Sequence, residues 1–220
     1  MAVTVEWLGH CAFRLRGEDG PSVLIDPFDD TIGHRVPQYD CDILLISHDH
    51  YDSSAKHLVP PGYDLIRAKG TTLAQGIAFN AFPLWHDERM GNDYGSVLIF
   101  HFELGGLTIG YLSHIGTLPR QWVLEKFLGL DICFVPVGDV VALGPADAAY
   151  LVKQLAPKIV FPMHFQTRPL TFTLLPLGEF LNVMPDKEQI DDWRVCIESD
   201  NLPDSPTVLI MRHWPGVAPV

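Results

Sequence analysis

The chain has 220 residues, 47% of them hydrophobic, and carries 15 basic against 27 acidic side chains for a formal charge of −12. Lys and Arg are scattered singly apart from weak doublets such as Arg67 and Lys69, so the basic stripe that a nucleic acid partner requires is missing. A chain of this length buries roughly 70% of its unfolded surface, enough for one domain over residues 1–220 with a core that needs no disulfides.

In chain order, Val3 to Leu8 and Ala12 to Arg16 read as strands around a Gly9-His10 turn, and Ser22 to Ile25 is a β-branched run stopped by Asp26-Pro27. Asp42 to Ile46 is short and continuously apolar, the pattern of a strand buried on both faces. Gly76 to Trp85, Gly95 to Leu104 and Leu107 to Ser113 extend a hairpin-rich sheet. The rhythm then changes. Pro119 to Leu128 and Ala146 to Leu155 have helical spacing behind a proline, Ile132 to Val137 and Lys158 to Pro162 are short apolar strands, Glu179 to Met184 reads as a helix, and Thr207 to Arg212 as a closing strand. The acidic stretch from Glu179 to Asp204 reads as a solvated face.

Cys11, Cys41, Cys133 and Cys196 lie far apart with no C-x-x-C pair, which excludes a zinc ribbon or thioredoxin-type motif. The first residues lack the pattern of a signal peptide, and no apolar run approaches the ~18 residues of a membrane span. The expected compartment is the reducing cytoplasm, with no membrane partner.

The chemistry lies in the histidines. His48, His86, His114 and His164 each directly follow an apolar strand, where loops converge on a rigid frame. In SHDHYDS the side chains of His48, His50 and Asp52 alternate, so all three can reach one locus. Imidazole with carboxylate suits zinc first, then manganese or iron, rather than calcium or magnesium.

WLGHCAF at the start, VLIDPF, SHDHYD, WHD at Trp85 to Asp87, YLSHIG, PVG at Pro136 to Gly138 and FPMHF at Phe161 to Phe165 recur in the order that identifies a larger family. On these motifs the chain resembles the metallo-β-lactamase superfamily, in particular its small stand-alone hydrolases and the branch with L-ascorbate-6-phosphate lactonases. The resemblance implies a four-layer αββα sandwich with the site at one edge between the sheets. It implies a first metal site of His48, His50 and His86, and a second drawing on Asp52, position 53 and His164, bridged by an aspartate at 114.

Two positions depart from that pattern, Ser53 and His114. A serine hydroxyl is a poor ligand, and neutral imidazole has a single lone pair and cannot span two ions. The expectation is therefore about one tightly held ion per chain, zinc before manganese or iron, drawn from His48, His50, Asp52, His86, His114 and His164. Asp52 is the candidate catalytic residue that orients or deprotonates water, and His10 a candidate substrate contact at the rim of the cleft. Asp26 reads as a support for a ligand loop, Asp87 as a second support or a turn cap, and the Asp87 to Tyr94 segment as a possible lid. His57 reads as a surface residue, His101 and His213 as structural, and His34 as a loop residue without a task. The implied activity is hydrolysis of a small-molecule ester, lactone, amide or phosphoester; the alternative is a non-catalytic relative that keeps the fold and binds metal or ligand.

Overall fold

The computed structural model describes residues 1–214. β1 (Ala2–Gly9), β2 (Ala12–Gly17), β3 (Ser22–Ile25), β4 (Ile43–Leu45) and β5 (Asp64–Ile66) lie side by side in that order, antiparallel as far as β3 and parallel beyond it. β6 (Gly70–Ala74), β7 (Ile77–Trp85), β8 (Ser96–Leu104) and β9 (Leu107–Tyr111) form an antiparallel meander, which β10 (Ile132–Pro136) and β11 (Ile159–Met163) extend in parallel. Of the last strands, β12 (Lys187–Ile190), β13 (Arg194–Glu198) and β14 (Thr207–Met211), β12 and β14 complete this second sheet while β13 returns to pair with β1 in the first.

Period-two alternation decides which face of each strand is buried in which layer. Val23, Ile25, Ile43 and Leu45 point into the core between the sheets, whereas Leu24 and Leu44 point to the opposite side with Phe28, Ile32 and Tyr39. The sheets meet through aromatic rings: Phe13 of β2 lies 4.5 Å from Phe134 of β10, centroid to centroid, and Phe134 lies 5.1 Å from Phe161 of β11. Each fully buried phenylalanine contributes about 1.5–3 kcal/mol. β4 is buried along its whole length between two parallel neighbours, as its unbroken apolar run predicts.

The outer layers differ. α1 (Gln121–Leu124), α2 (Pro145–Leu155) and α3 (Leu177–Val183) follow in chain order, and α2 presses Ala148, Leu151, Val152 and Leu155 into the main core from the second sheet's side. Over the first sheet the cover is loop and two 3₁₀ turns, Asp30–Ile32 and Lys56–Leu58. This is the αββα sandwich, with its helical layer reduced on one side. The helix expected from Pro119 to Leu128 is cut to the four residues of α1, because the Lys126 and Phe127 amides bond three residues back and Gly129 turns the chain at φ +65°. β5, β6, β12 and β13 were not read from the sequence; these four are the edge strands of the two sheets.

Candidate metal centre

Five strands deliver a histidine to the same end of the sandwich. His10 follows β1, His86 follows β7 and His164 follows β11 directly, while His48 and His114 come three residues after β4 and β9. The loop after β4 continues to His50 and Asp52. The donors fall into two groups, each with ligand atoms within 4.8 Å of one another: His48, His50 and His86, and His10, Asp52, His114 and His164. In the first group the ring centroids are 4.6 to 4.9 Å apart. His114 lies between the groups, 4.7 Å from the His48 ring and 4.4 Å from that of His164.

Strained backbone holds this convergence in place. His10, Asp26, Ser113 and His164 occupy the left-handed region at φ +47°, +46°, +52° and +52°, a conformation costly for residues with a Cβ and typical of functional sites. Gly116 and Gly138 lie so close to the His86 and His164 carbonyl oxygens that a Cβ at either position would collide with them. The PVG motif is thus a cradle for the backbone of His164.

His48 is oriented by a relay. Its Nδ1 lies 2.7 Å from Ser47 Oγ, which in turn donates to Asp26 Oδ2 at 2.6 Å. With its only proton given to Asp26, Ser47 accepts from His48 Nδ1–H, which leaves the His48 Nε2 lone pair free for a ligand role. Asp26 is fully buried and also accepts from the Ser47 amide at 2.8 Å and the Tyr111 hydroxyl at 2.7 Å. Burial pushes its carboxyl up to about 7, against the pull of the Ser47 and Tyr111 bonds. The expected support role is therefore carried out through Ser47, a residue the sequence reading did not single out.

Burial depresses the imidazoles. His48 is lowered to about 3, with Asp52 opposing, and His114 and His164 are held well below the ordinary range by burial and then by neighbouring histidines. All three are neutral, the form that ligates metal. Burial pushes the Asp52 carboxyl up; the strongest opposing influence is the hydrogen bond with His10, and the net result is a carboxyl below its usual range. His10 Nδ1, Asp52 Oδ1, His86 Nδ1, His114 Nδ1 and both ring nitrogens of His164 are buried without a partner. Buried polar atoms of this kind are rarely left unpaired, and their concentration at one locus fits the donor set to a bound cation.

The structure relocates one expected residue. His10, expected at the rim, is 1% exposed and sits inside the second group with Nε2 3.2 Å from Asp52 Oδ2. Ser53 is also buried, its hydroxyl 3.3 Å from His48 Nε2. His57 lies exposed on the surface, His101 packs against Phe127, and His34 is buried with Nε2 2.8 Å from Thr167 Oγ1. His213 stacks near Trp7 at 4.4 Å.

Asp87 caps its loop rather than supporting a ligand: its carboxylate accepts from the amides of Arg89, Gly91, Asp93 and Tyr94. The capped loop sets the Tyr94 ring 5.4 Å from His86 and 6.3 Å from His50, at the mouth of the first group. Tyr94 escaped the sequence reading because only the loop's closure brings it there. In Asp87→Ala, hydrogen exchange at the amides of residues 89–94 should quicken by about tenfold or more. Unchanged exchange would mean the loop is held by something else.

A two-sheet sandwich with histidines and an aspartate gathered at one end of its strands defines a metal-site protein of the αββα class. Residues 4–164 match the family described as the Beta-lactamase superfamily domain, and the chain belongs to the metallo-β-lactamase superfamily. It is 28% identical over 201 residues to a UPF0173 metal-dependent hydrolase of Pelotomaculum thermopropionicum, covering 76% of this chain and 86% of that protein. It is 27% identical over 220 residues to a UPF0173 metal-dependent hydrolase of Thermococcus onnurineus, covering 86% and 95%. A crystal structure from Thermotoga maritima, ascribed to the Zn-dependent hydrolases of the superfamily, superposes with a TM-score of 0.79 at 28% identity, covering 95% and 98%. Membership and the gathered donors place this chain among the metal-dependent hydrolases of that superfamily.

Proposed function

We propose that the chain hydrolyses a small-molecule ester, lactone, amide or phosphoester at an ion held by His48, His50 and His86, zinc before manganese or iron. The observation that carries this reading is the three-imidazole group with one side open. A cavity of about 460 Å³ reaches it, lined by Ser47, His48, His50, Arg67, Tyr94 and Ser96 among others, within the range usual for small ligands. Three imidazoles with a fourth position free form the donor set of catalytic rather than structural zinc. When bound, such an ion acidifies a water and polarises the scissile carbonyl or phosphoryl group.

The chain's own residues do the rest. Ser47 and Asp26 fix the His48 ring, and Tyr94 narrows the mouth. Asp52, with its carboxyl held below the ordinary range, is a weak proton acceptor, which favours an orienting role over that of a base. Asp49, Arg67 and Lys69 line the cavity wall; Arg67 is bonded to Asp49 at 2.6 Å, and Lys69 is the cation whose presence supports a substrate carrying negative charge. The overall charge of −12 supports a set of partners without nucleic acid or membrane, and the four free cysteines support a reducing cytoplasm.

Chelation tests the reading. Protein stripped with a chelator should lose turnover of p-nitrophenyl esters or bis-p-nitrophenyl phosphate and regain it with added zinc, manganese or iron(II). Turnover unaffected by stripping would contradict a reaction at the bound ion, and turnover absent from fully loaded protein on both substrate types would favour the non-catalytic alternative.

A further inference from the structure

We infer that β6, the free edge of the second sheet, pairs antiparallel with β6 of a second copy of this chain, joining the two sheets across a two-fold axis at Thr72. The edge of a sheet is a row of unpaired N–H and C=O groups, and proteins guard it with charge, proline or cover. Three of the four edge strands here carry charge: β5 has Asp64, β12 has Lys187 and Glu188, and β13 has Arg194 and Glu198. β6 reads Gly-Thr-Thr-Leu-Ala and has none. Nor is it covered. Among the described residues its backbone bonds only to β7, and a Cβ added at Gly70 or Gly76, one at each end of the strand, would meet nothing within 4 Å. Leu73 stands out from it 73% exposed.

Sheet geometry fixes the register. A two-fold axis normal to the sheet keeps each face on its own side, so a residue can oppose only one that shares its face. Ala74 is buried in the core, and by alternation Thr72 shares its face while Thr71 and Leu73 point outward. Pairing centred on Thr72 meets that condition and engages the whole strand, with Gly70 opposite the partner's Ala74 and Thr71 opposite the partner's Leu73. Registers shifted by two residues engage less of it. The two Leu73 side chains become diagonal neighbours across the axis, about 7–8 Å apart and within reach of each other.

Charge selects a second copy as the occupant. In this register Lys69 falls opposite the partner's Gln75, and Gln75 Nε2 donates to Asp64 Oδ2 of its own chain at 2.8 Å. Each Lys69 ammonium is thus brought beside the partner's Asp64, twice per dimer, on a chain whose formal charge of −12 otherwise repels its own kind. Lys69 also lines the cavity, so the end of the partner's strand stands at the cavity wall; with three N–H donors the ammonium serves both sides. Each copy uses its β6 once, so the pair closes and does not grow into a fibre. The pairing needs no metal and stands apart from the proposed reaction.

Sedimentation equilibrium of the full chain tests this. The paired strands make a small interface, so the dimer should dissociate at low micromolar concentration and predominate at about 200 μM. Leu73→Glu removes the apolar contact and sets two carboxylates near the axis, and it should weaken dimerisation by about tenfold or more. Leu128→Glu, at a leucine 56% exposed after α1, should leave it unchanged. Lys69→Glu should weaken it by about two- to fivefold, and Lys69→Glu combined with Asp64→Lys should restore it. A chain that stays monomeric at that concentration overturns the inference. So does a dimer that withstands Leu73→Glu, one that Leu128→Glu disrupts equally, or a loss in Lys69→Glu that Asp64→Lys fails to restore. Should Leu73→Glu not fold, the charge exchange decides.

Discussion

Replacing His50 with alanine should reduce hydrolysis by on the order of 10³-fold or more and empty the open site, with the fold intact. His50 supplies one of three imidazoles whose rings lie 4.6 to 4.9 Å apart, and no other residue of that group can take its place. Two imidazoles alone hold a divalent ion poorly, and without the ion no group in the cavity acidifies water to the same degree. The fold should survive because the structural bonds at this position run to the backbone: the Ser53 amide and the Ser54 hydroxyl both donate to the His50 carbonyl, which alanine keeps. Rate, bound metal and near-ultraviolet circular dichroism on the same preparation check this. Activity within tenfold of the unaltered chain would remove the open site from the reaction.

Asp26→Ala should be the most destabilising single change near the site, by on the order of 3–5 kcal/mol, and should weaken metal binding at the open site as well. Three donors converge on the Asp26 carboxylate, from the Ser47 amide, the Ser47 hydroxyl and the Tyr111 hydroxyl, in a place with 0% exposure. Alanine leaves all three without that acceptor and opens a cavity beneath them. The Ser47 proton is then free to turn toward His48 Nδ1, which would favour the wrong tautomer. Loss of such a supporting partner costs about 10–100-fold in metal affinity. Ser47→Ala separates the two effects: it should show the affinity loss with a smaller loss of stability. Denaturant unfolding of the apoprotein gives the first quantity and competition with a chromogenic chelator the second. Equal, small effects from both substitutions would contradict the relay.

The most central strands were the most legible. β4, β10 and β11 are buried on both faces, so each reads as an unbroken apolar run with a polar residue or histidine soon after its end. The four unread strands, β5, β6, β12 and β13, are the edges. Edge strands hydrogen-bond on one side only and keep charges outward, and Lys187, Glu188, Arg194 and Glu198 interrupt the apolar pattern of Lys187–Ile190 and Arg194–Glu198.

The site followed the same logic. His48, His50 and Asp52 announce themselves by spacing. His10 does not, because its role depends on β1 bringing it to a residue 42 positions away. The link from Asp26 to Tyr111 spans 85 positions and the contact of His114 with Cys11 spans 103, distances over which no local pattern operates.

Anomalous diffraction from crystals of the zinc-loaded chain, recorded at the zinc edge, tests the central assignment most directly. The account predicts a peak bonded to His48, His50 and His86, at about 2.0–2.1 Å from one nitrogen of each ring. A loaded chain with no peak there, or with zinc bound only at other residues, would contradict it.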